Sequence, residues 1–384
     1  MNNQKIFNQS FIFVFISNFF VFIGFEMLLP ILPAYLISLN ALSIQVGLVT
    51  TLFTIGAILI RPLVGYYLID NQRKNLAIGA SVVLMIITLI YPFLNIVWLF
   101  LLLRFIHGIA WGVSTTANST IAVDLIPKTR LGEGMGYFSI STTVGAIIAQ
   151  SLGIFIYDTF SFDVLIWSSV ILSLSAVIAL QFVHSPAPVK REKQPFRFLD
   201  MIFEKEAWFP ALLAVFTTPG FGAIITFLVL FGKQKDLEHI FLFFLINATV
   251  STIIRPFTGK WYDNKGPWSI IIVSAMLGFL SLIILSYATN DLLLIISAIL
   301  FGAGYGTIMA CLQTWAVQKV SEEKSGAANA TFYSSFDVGV GVSAFVLSVL
   351  AEWVSIEMIF RMVSLSFIVV AVLVYKDYLN EKKR

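Results

Sequence analysis

Two similar segments, IRPLVGYYLID at Ile60–Asp70 and IRPFTGKWYDNKG at Ile254–Gly266, interrupt an otherwise apolar chain. Each ends an apolar run with Arg-Pro, a Gly and an Asp, and Arg61 precedes Arg255 by 194 positions. Further pairs with the same offset are Gly65 and Gly259, Gly108 and Gly302, Gly112 and Gly306, Gly132 and Gly326, Phe138 and Phe332, and Gly145 and Gly339. One offset maintained over so much of the chain indicates two related halves.

The composition places the chain in a membrane. Of its 384 residues, 58% are hydrophobic and 12% are charged, and the mean hydropathy is +0.91. Soluble domains carry about 25% charged residues. Apolar runs of about 20 residues follow one another, each long enough to cross a bilayer as a helix. Because backbone polar groups in hydrocarbon must be satisfied internally, the sequence predicts a polytopic α-helical protein.

The apolar runs and polar breaks predict twelve transmembrane helices in two pseudo-symmetric six-helix bundles. The predicted spans are 10–37, 43–68, 75–94, 97–122, 133–156, 163–183, 208–231, 240–259, 268–288, 292–316, 327–351 and 357–375. The longest polar interruption, His184–Glu206, separates six spans from six. We therefore expect an N-terminal bundle at 1–183, a cytoplasmic linker at 184–207 and a C-terminal bundle at 208–384. Within the linker, residues 196–203 are expected to form either an amphipathic surface helix or a solvated connector.

The basic residues predict the orientation. Most of the 24 Lys and Arg residues fall in loops on one side of the predicted spans. By the positive-inside rule that side is cytoplasmic, so both termini are expected in the cytoplasm. The expected location is the plasma (inner) membrane. Two parallel six-helix halves are typical of secondary transporters, which bind their substrate between the halves and alternate between two openings.

The two repeated segments resemble the loop motif of the major facilitator superfamily, most of all its twelve-span drug:proton antiporter branch. The resemblance covers essentially the whole chain. Residues that match the loop motif, with a gating role implied by the resemblance, are Gly65, Asp70 and Arg73, then Gly259, Asp263 and Gly266. Glycine permits close helix approach, and an Asp at the membrane edge can pair with a nearby Arg. The alternative is a plain tight turn with cytoplasmic positive charges.

The fourth predicted span contains a stretch similar to the family's Arg-x-x-Gln-Gly motif, here Arg104-Phe-Ile-His107-Gly108. An Arg inside a membrane is a functional candidate because it is costly there without a partner or a cavity. Helical spacing places Arg104, His107, Trp111 and Asn118 on one polar stripe. We expect Arg104 and His107 to take part in proton coupling and Trp111 and Asn118 to line the substrate cavity. The alternative for Arg104 is a structural side chain that reaches the outer interface.

Two carboxylates lie within predicted spans. Glu26 belongs to a stretch that matches the family's Gly-then-Pro-x-x-Pro pattern, and Asp337 lies about ten residues into the eleventh span. Because burial favours a neutral carboxyl group and a nearby Arg favours a carboxylate, both are candidate proton carriers. The alternatives are a static Glu26–Arg104 ion pair and a structural, hydrogen-bonding role for Asp337.

Three amides complete the candidate substrate cavity. The antiporter branch carries Gly-Pro in its fifth span where this chain has Ala149-Gln150, which makes Gln150 a candidate. Asn247 and Gln313 are the other two, with ordinary interhelical hydrogen bonds as their alternative.

These patterns predict a secondary transporter that exports small organic molecules or drugs by proton-coupled alternating access. The alternatives are a transporter, by import or export, of one specific metabolite such as a sugar or metallophore, and a membrane sensor that does not transport. We expect no enzymatic activity, cofactor, metal site or nucleic-acid partner. The expected partners are a small-molecule substrate, protons and the lipid bilayer, and the expected state is a monomer.

Overall fold

The computed structural model describes residues 6–68, 72–127, 131–185, 204–320 and 325–383, and these contain helices and no strand. In chain order the α-helices are α1 (Gln9–Glu26), α2 (Leu32–Ser38), α3 (Ser43–Tyr67), α4 (Arg73–Ile90), α5 (Val97–Leu125), α6 (Leu131–Thr159), α7 (Phe162–Gln181), α8 (Trp208–Gln234), α9 (Phe241–Lys265), α10 (Pro267–Ser286), α11 (Asp291–Gln318), α12 (Ser325–Leu350) and α13 (Ile356–Lys383). Short 3₁₀ turns cover Tyr91–Phe93 and Lys205–Ala207. The described helices overlap all twelve predicted spans. Most of the predicted linker, including residues 196–203, lies outside the described residues.

Local chemistry explains where several helices begin and where the first span breaks. The side chains of Asn8, Ser161 and Asn290 accept hydrogen bonds from the backbone two or three residues into α1, α7 and α11. Such caps satisfy N–H groups that a helix leaves without a partner. The chain turns between α1 and α2, where Pro30 cannot donate to a helical ladder. The first predicted span, residues 10–37, is therefore two helices instead of one.

The described helices have the dimensions of a polytopic membrane protein. Eleven of those in the described ranges are long and apolar enough to cross a bilayer. In α9 the apolar stretch is shorter, from Phe241 to Arg255. The predicted all-α membrane fold is confirmed.

The chain divides into two compact units. The first contains Met1–Tyr35 and Leu52–Phe198, and the second contains Leu36–Thr51 and Leu199–Arg384. In the second unit the Thr51 hydroxyl donates to the Gly341 carbonyl oxygen at 2.7 Å. The bundle boundaries expected from the sequence stay a prediction.

The repeat found in the sequence reappears as equivalent helix contacts. A Cβ atom on Gly108 would overlap the backbone of Phe53, and one on Gly302 would overlap the backbone of Asn247. Phe53 and Asn247 are themselves 194 positions apart. Each half therefore uses an equivalent glycine to bring an equivalent pair of helices into close contact. The pair is α3 and α5 in the first half, and α9 and α11 in the second.

The first and eighth helices follow the repeat with a different offset. A Cβ atom on Gly24 would lie 3.1 Å from Ser173 Oγ, and one on Gly220 would lie 2.7 Å from Phe367 Cε2. Ser173 and Phe367 differ by 194 positions, whereas Gly24 and Gly220 differ by 196. A shift of two residues explains why the sequence match fades in these helices although their packing is retained.

Candidate functional site

Arg104 on α5 lies at the centre of a buried aromatic cluster in the first unit. Its side chain is fully buried, with the guanidinium carbon 4.6 Å from the centroid of the Phe53 ring and 5.7 Å from that of Phe25. The Phe25 ring packs on Trp111 with 4.1 Å between centroids. Aromatic faces attract a cation, and the attraction is strongest where water is excluded. The position of Arg104 is therefore in the interior of the unit.

His107, one turn after Arg104, is joined to Tyr91. His107 Nδ1 and Tyr91 Oη are 2.7 Å apart, and both side chains are buried. The Tyr91 hydroxyl also interacts with the Arg104 guanidinium. Tyr91 belongs to the 3₁₀ turn that ends the α4 span, so this chain of polar groups connects α4 with α5.

Glu26 ends α1 and meets the amide of Gln150 on α6. Gln150 Nε2 donates to Glu26 Oε2 at 3.2 Å, and Gln150 is 7% exposed, whereas Glu26 is partly exposed. The residue that replaces the family's proline thus provides a hydrogen bond to the membrane carboxylate. A hydrogen bond from an uncharged donor can persist whether the carboxylate is charged or, after rotation of the amide, protonated.

A small cavity adjoins this cluster. It measures about 10 Å³, room for about one water molecule. Its polar lining is Ser81, Thr88, His107 and Ser173, and its apolar lining is Val21, Phe25 and Leu84. The cavity reaches the imidazole of His107 from the side of α4 and α7.

Two buried asparagines differ in whether their side-chain amides form hydrogen bonds. Asn18 on α1 donates to Ser141 Oγ at 2.9 Å and to Thr142 Oγ1 at 3.2 Å on α6. Asn118 on α5 is fully buried, and among the described residues neither Nδ2 nor Oδ1 has a hydrogen-bond partner. An unsatisfied buried amide costs about 1–3 kcal/mol. A conformation or a ligand that gives the Asn118 amide a hydrogen-bond partner would therefore be stabilised.

The candidates of the second unit lie on three different helices, α12, α11 and α9. The Asp337 side chain on α12 is partly buried, next to Phe336, whose ring lies 6.1 Å from that of Phe221. Gln313 Nε2 donates to Tyr333 Oη at 3.1 Å. Asn247 is partly buried, and its backbone is the close contact of Gly302.

The loop motif takes different forms in its two copies. In the first, Arg73 Nε lies 2.6 Å from Asp124 Oδ2 at the end of α5. In the second, the position equivalent to Asp124 is Gln318, which accepts from the Tyr262 hydroxyl at 2.8 Å. Asp70 lies outside the described residues, as does the side chain of Asp263. Each described copy thus ties the end of its α5 or α11 helix to the motif.

The glycines of the loop motif are not all required for the same structural reason. Gly266 has φ +70° and ψ −176°, a conformation open essentially only to glycine, between α9 and Pro267. The equivalent residue in the first copy, Gln72, has φ −67° and ψ 113°, so no glycine is needed there. Among the described residues, no atom lies within 4 Å of the place that a Cβ atom on Gly65 or Gly259 would occupy, so the described residues show no close helix approach at either position.

Sequence reasoning missed several residues of the first-unit cluster. Tyr91, Phe25 and Phe53 read as ordinary apolar positions, because only the fold brings their rings to Arg104 and His107. Asn18 carried a usable signal, since a polar amide in the middle of an apolar span seeks an interhelical partner.

Comparison with known proteins supports the fold and the class. The sequence model of the Major Facilitator Superfamily matches residues 14–344, with a second match at 282–383. An uncharacterised MFS-type transporter of Methanocaldococcus jannaschii is 24% identical over 373 residues, which cover 94% of this chain and 96% of the relative. The multidrug resistance protein MdtG of Dickeya zeae is 24% identical over 337 residues, or 84% and 82% of the two chains.

Solved structures agree on the architecture. The nucleoside transporter NupG superposes with a TM-score of 0.76 at 17% identity, covering 96% of this chain and 99% of that one. A human organic anion transporter, MFSD10, gives a TM-score of 0.69 at 15% identity, covering 95% and 99%. At these identities the likeness shows the fold alone. With the family match over most of its length, the chain belongs to the major facilitator superfamily and is a multi-pass membrane transporter, not an enzyme.

Proposed function

We propose that this transporter exports small organic molecules or drugs across the plasma membrane by proton-coupled alternating access. The observation that carries the proposal is the Glu26 carboxylate at the end of α1, inside a candidate membrane span and hydrogen-bonded to Gln150. The multidrug resistance relatives favour organic molecules as substrates.

In this mechanism Glu26 binds and releases the coupling proton. The Gln150 amide holds the carboxyl group in place through its hydrogen bond. Protonation removes a negative charge from the first unit, and this change alters the relative free energies of the inward-open and outward-open states. Asp337 is the second proton carrier, while His107 and Tyr91 connect Arg104 to the rest of the cluster.

Substrate contacts in the proposal come from Trp111, Asn118, Gln150, Asn247 and Gln313. Asn118 has the strongest structural support, because its buried amide has no described partner and would gain one from a polar substrate or in another conformation. The loop motif acts as a cytoplasmic gate, with the Arg73–Asp124 ion pair formed in one state and broken in the other. Both termini lie in the cytoplasm, and the working unit is a monomer.

Transport assays with conservative variants test the proposal. In inverted membrane vesicles with a proton gradient, we expect Glu26→Gln to abolish dye accumulation and substrate-induced proton release, and Asp337→Asn to reduce both. Glu352→Gln is the matched control, because Glu352 lies exposed between α12 and α13. If Glu26→Gln and Asp337→Asn both keep gradient-driven transport, proton coupling through these residues is wrong.

A further assay separates drug export from transport of one metabolite. A panel of lipophilic dyes, nucleosides and sugars is tested in an efflux-deficient host, with the gradient collapsed as control. Gradient-dependent resistance to several unrelated dyes is the expected result. Uptake or export of a single compound class would favour the specific transporter instead.

A further inference from the structure

Arg361 on α13, like Arg104 on α5, lies within a candidate membrane span, and its surroundings differ from those of Arg104. It is the sixth residue of α13, so it lies about 7.5 Å along the axis from the first residue. Its side chain is partly exposed, whereas that of Arg104 is fully buried. This depth is close to the border between hydrocarbon and headgroups of a bilayer.

The side of α13 that carries Arg361 faces lipid. Met358 and Leu365, three residues before and four after Arg361 on the same helix face, are 43% and 57% exposed, and the adjacent Met362 is 41% exposed. Tyr287, just past the end of α10, is 60% exposed beside it. Exposed apolar side chains at this depth in a membrane protein contact acyl chains.

Two protein contacts fix the guanidinium on this surface. Arg361 Nε donates to Ser286 Oγ at 3.1 Å, and the guanidinium carbon lies 4.3 Å from the centroid of the Tyr287 ring. Ser286 is itself buried, and its hydroxyl donates to the Ile283 carbonyl oxygen, so it holds the arginine in one direction. The planar group is therefore spread over the tyrosine face.

The positive charge of Arg361 has no acidic partner among the described residues. Its terminal nitrogens make no described hydrogen bond or ion pair. Glu357, one turn earlier on the same helix, lies 2.6 Å from Lys235 Nζ and is engaged there. A charge on the lipid side without a counter-ion is unfavourable, so an anion from outside the protein would stabilise it.

We propose that Arg361, held in place by Tyr287 and Ser286, binds the phosphate of a bilayer phospholipid where α10 ends and α13 begins. The two terminal nitrogens of a guanidinium match two oxygens of a phosphodiester, and a phospholipid supplies that anion at this depth. The acyl chains of the same lipid cover the exposed Met358, Met362 and Leu365 side chains. The proposed lipid site does not depend on the transport mechanism, and it requires no particular orientation of the chain in the membrane.

Native mass spectrometry of the purified full chain, titrated with phosphatidylglycerol in detergent micelles, tests this site. We expect Arg361→Gln to weaken the tightest lipid-binding step about tenfold, which is the usual loss for one charge-assisted hydrogen-bonded contact. Arg255→Gln is the matched control, because Arg255 is an exposed arginine elsewhere in the same unit. It should leave that step unchanged.

Further arms identify the source of the phosphate and guard against misfolding. Diacylglycerol, which lacks the phosphate, should bind wild type and Arg361→Gln equally, and millimolar inorganic phosphate should not displace phosphatidylglycerol. Tyr287→Leu keeps the charge and should weaken binding a few-fold, with size-exclusion profiles as the folding check. Equal lipid binding by wild type and Arg361→Gln, equal loss in Arg255→Gln, or displacement by inorganic phosphate would each overturn the proposal.

Discussion

At the core of the first half lies a buried polar cluster, and at the same place in the second half lies an apolar one. The positions with their counterparts 194 residues later are Arg104 and Ala298, His107 and Phe301, Tyr91 and Leu285, and Gln150 and Ala344. The four counterparts are almost completely buried. The surrounding frame is nonetheless the same, because equivalent glycines make equivalent helix contacts in both halves.

The difference separates what the fold needs from what function needs. The second half reaches the same helix packing with only apolar residues at these positions. A buried arginine is therefore no requirement of this packing, and its desolvation is a cost that the first half bears for another reason. We attribute that reason to proton coupling.

Exchanging the residues at 104 and 298 should have the largest effect. Ala298→Arg buries a charge among apolar neighbours, and we expect no folded protein, because an uncompensated buried charge costs several kcal/mol. Arg104→Ala should instead fold and lose transport by about tenfold or more. Fluorescence-detected size exclusion and vesicle transport measure the two outcomes. Normal folding of Ala298→Arg would show that the second half also accommodates a charge.

Exchanging the residues at 107 and 301 should have a smaller effect. His107→Phe removes the partner of the Tyr91 hydroxyl, and we expect impaired transport with destabilisation of about 1–3 kcal/mol. Phe301→His should destabilise the protein by a similar amount while leaving proton-coupled transport largely intact, since Phe301 is surrounded by rings such as Tyr305. Denaturation in detergent and vesicle transport give the two readings. Equal transport loss in both variants would contradict the assignment of the polar cluster to function.

The glycine contacts allow a test of the shared frame. Gly108→Ala and Gly302→Ala each place a methyl group on the backbone of a facing helix, and we expect both to destabilise by about 1–3 kcal/mol. Gly65→Ala and Gly259→Ala are the matched controls, because no atom of the described residues lies within 4 Å of the added methyl group, and each should shift stability by less than about 0.5 kcal/mol. Thermal unfolding compares all four. A large effect at Gly302 without one at Gly108 would mean that the halves do not share this contact.

The duplication and the helical spans were predictable because both appear as patterns along the sequence. Apolar runs give the spans, and the offset between Gly108 and Gly302 gives the repeat. The two-residue shift at Gly24 and Gly220 was hidden, since it becomes visible only when Ser173 and Phe367 are seen as equivalent packing partners.

The partners of the candidate site were less predictable than its charges. Glu26 and Arg104 stand out because ionisable residues are rare in apolar spans. Their neighbours Gln150, Phe25 and Phe53 come from three other parts of the chain, and sequence spacing carries no information on which side chains meet across helices. Gly65 shows the opposite case, because a motif glycine suggested close packing at a position where no atom of the described residues comes within 4 Å of an added Cβ.

The smallest expected effect concerns the ion pair between His239, just before α9, and Asp291, the first residue of α11. His239 Nδ1 donates to Asp291 Oδ2 at 2.6 Å, whereas the position equivalent to Asp291 in the first half is Val97. The Asp291 hydrogen bond raises the pKa of His239, and the nearby Glu238 acts in the same direction. Since the folded pKa exceeds the unfolded one, the pair stabilises the fold fully below about pH 6.5 and ceases to do so as the pH rises through the raised pKa.

His239→Gln should therefore lower the unfolding temperature at about pH 6, and its difference from wild type should shrink as the pH rises through the raised pKa of His239. The difference between variant and wild type cancels all groups that titrate alike in both. The exposed position of the pair and screening by salt keep the effect small, so the scan belongs at low ionic strength. A difference that stays constant from low to high pH would assign the contribution of His239 to packing, and a difference that grows with pH would contradict the raised pKa.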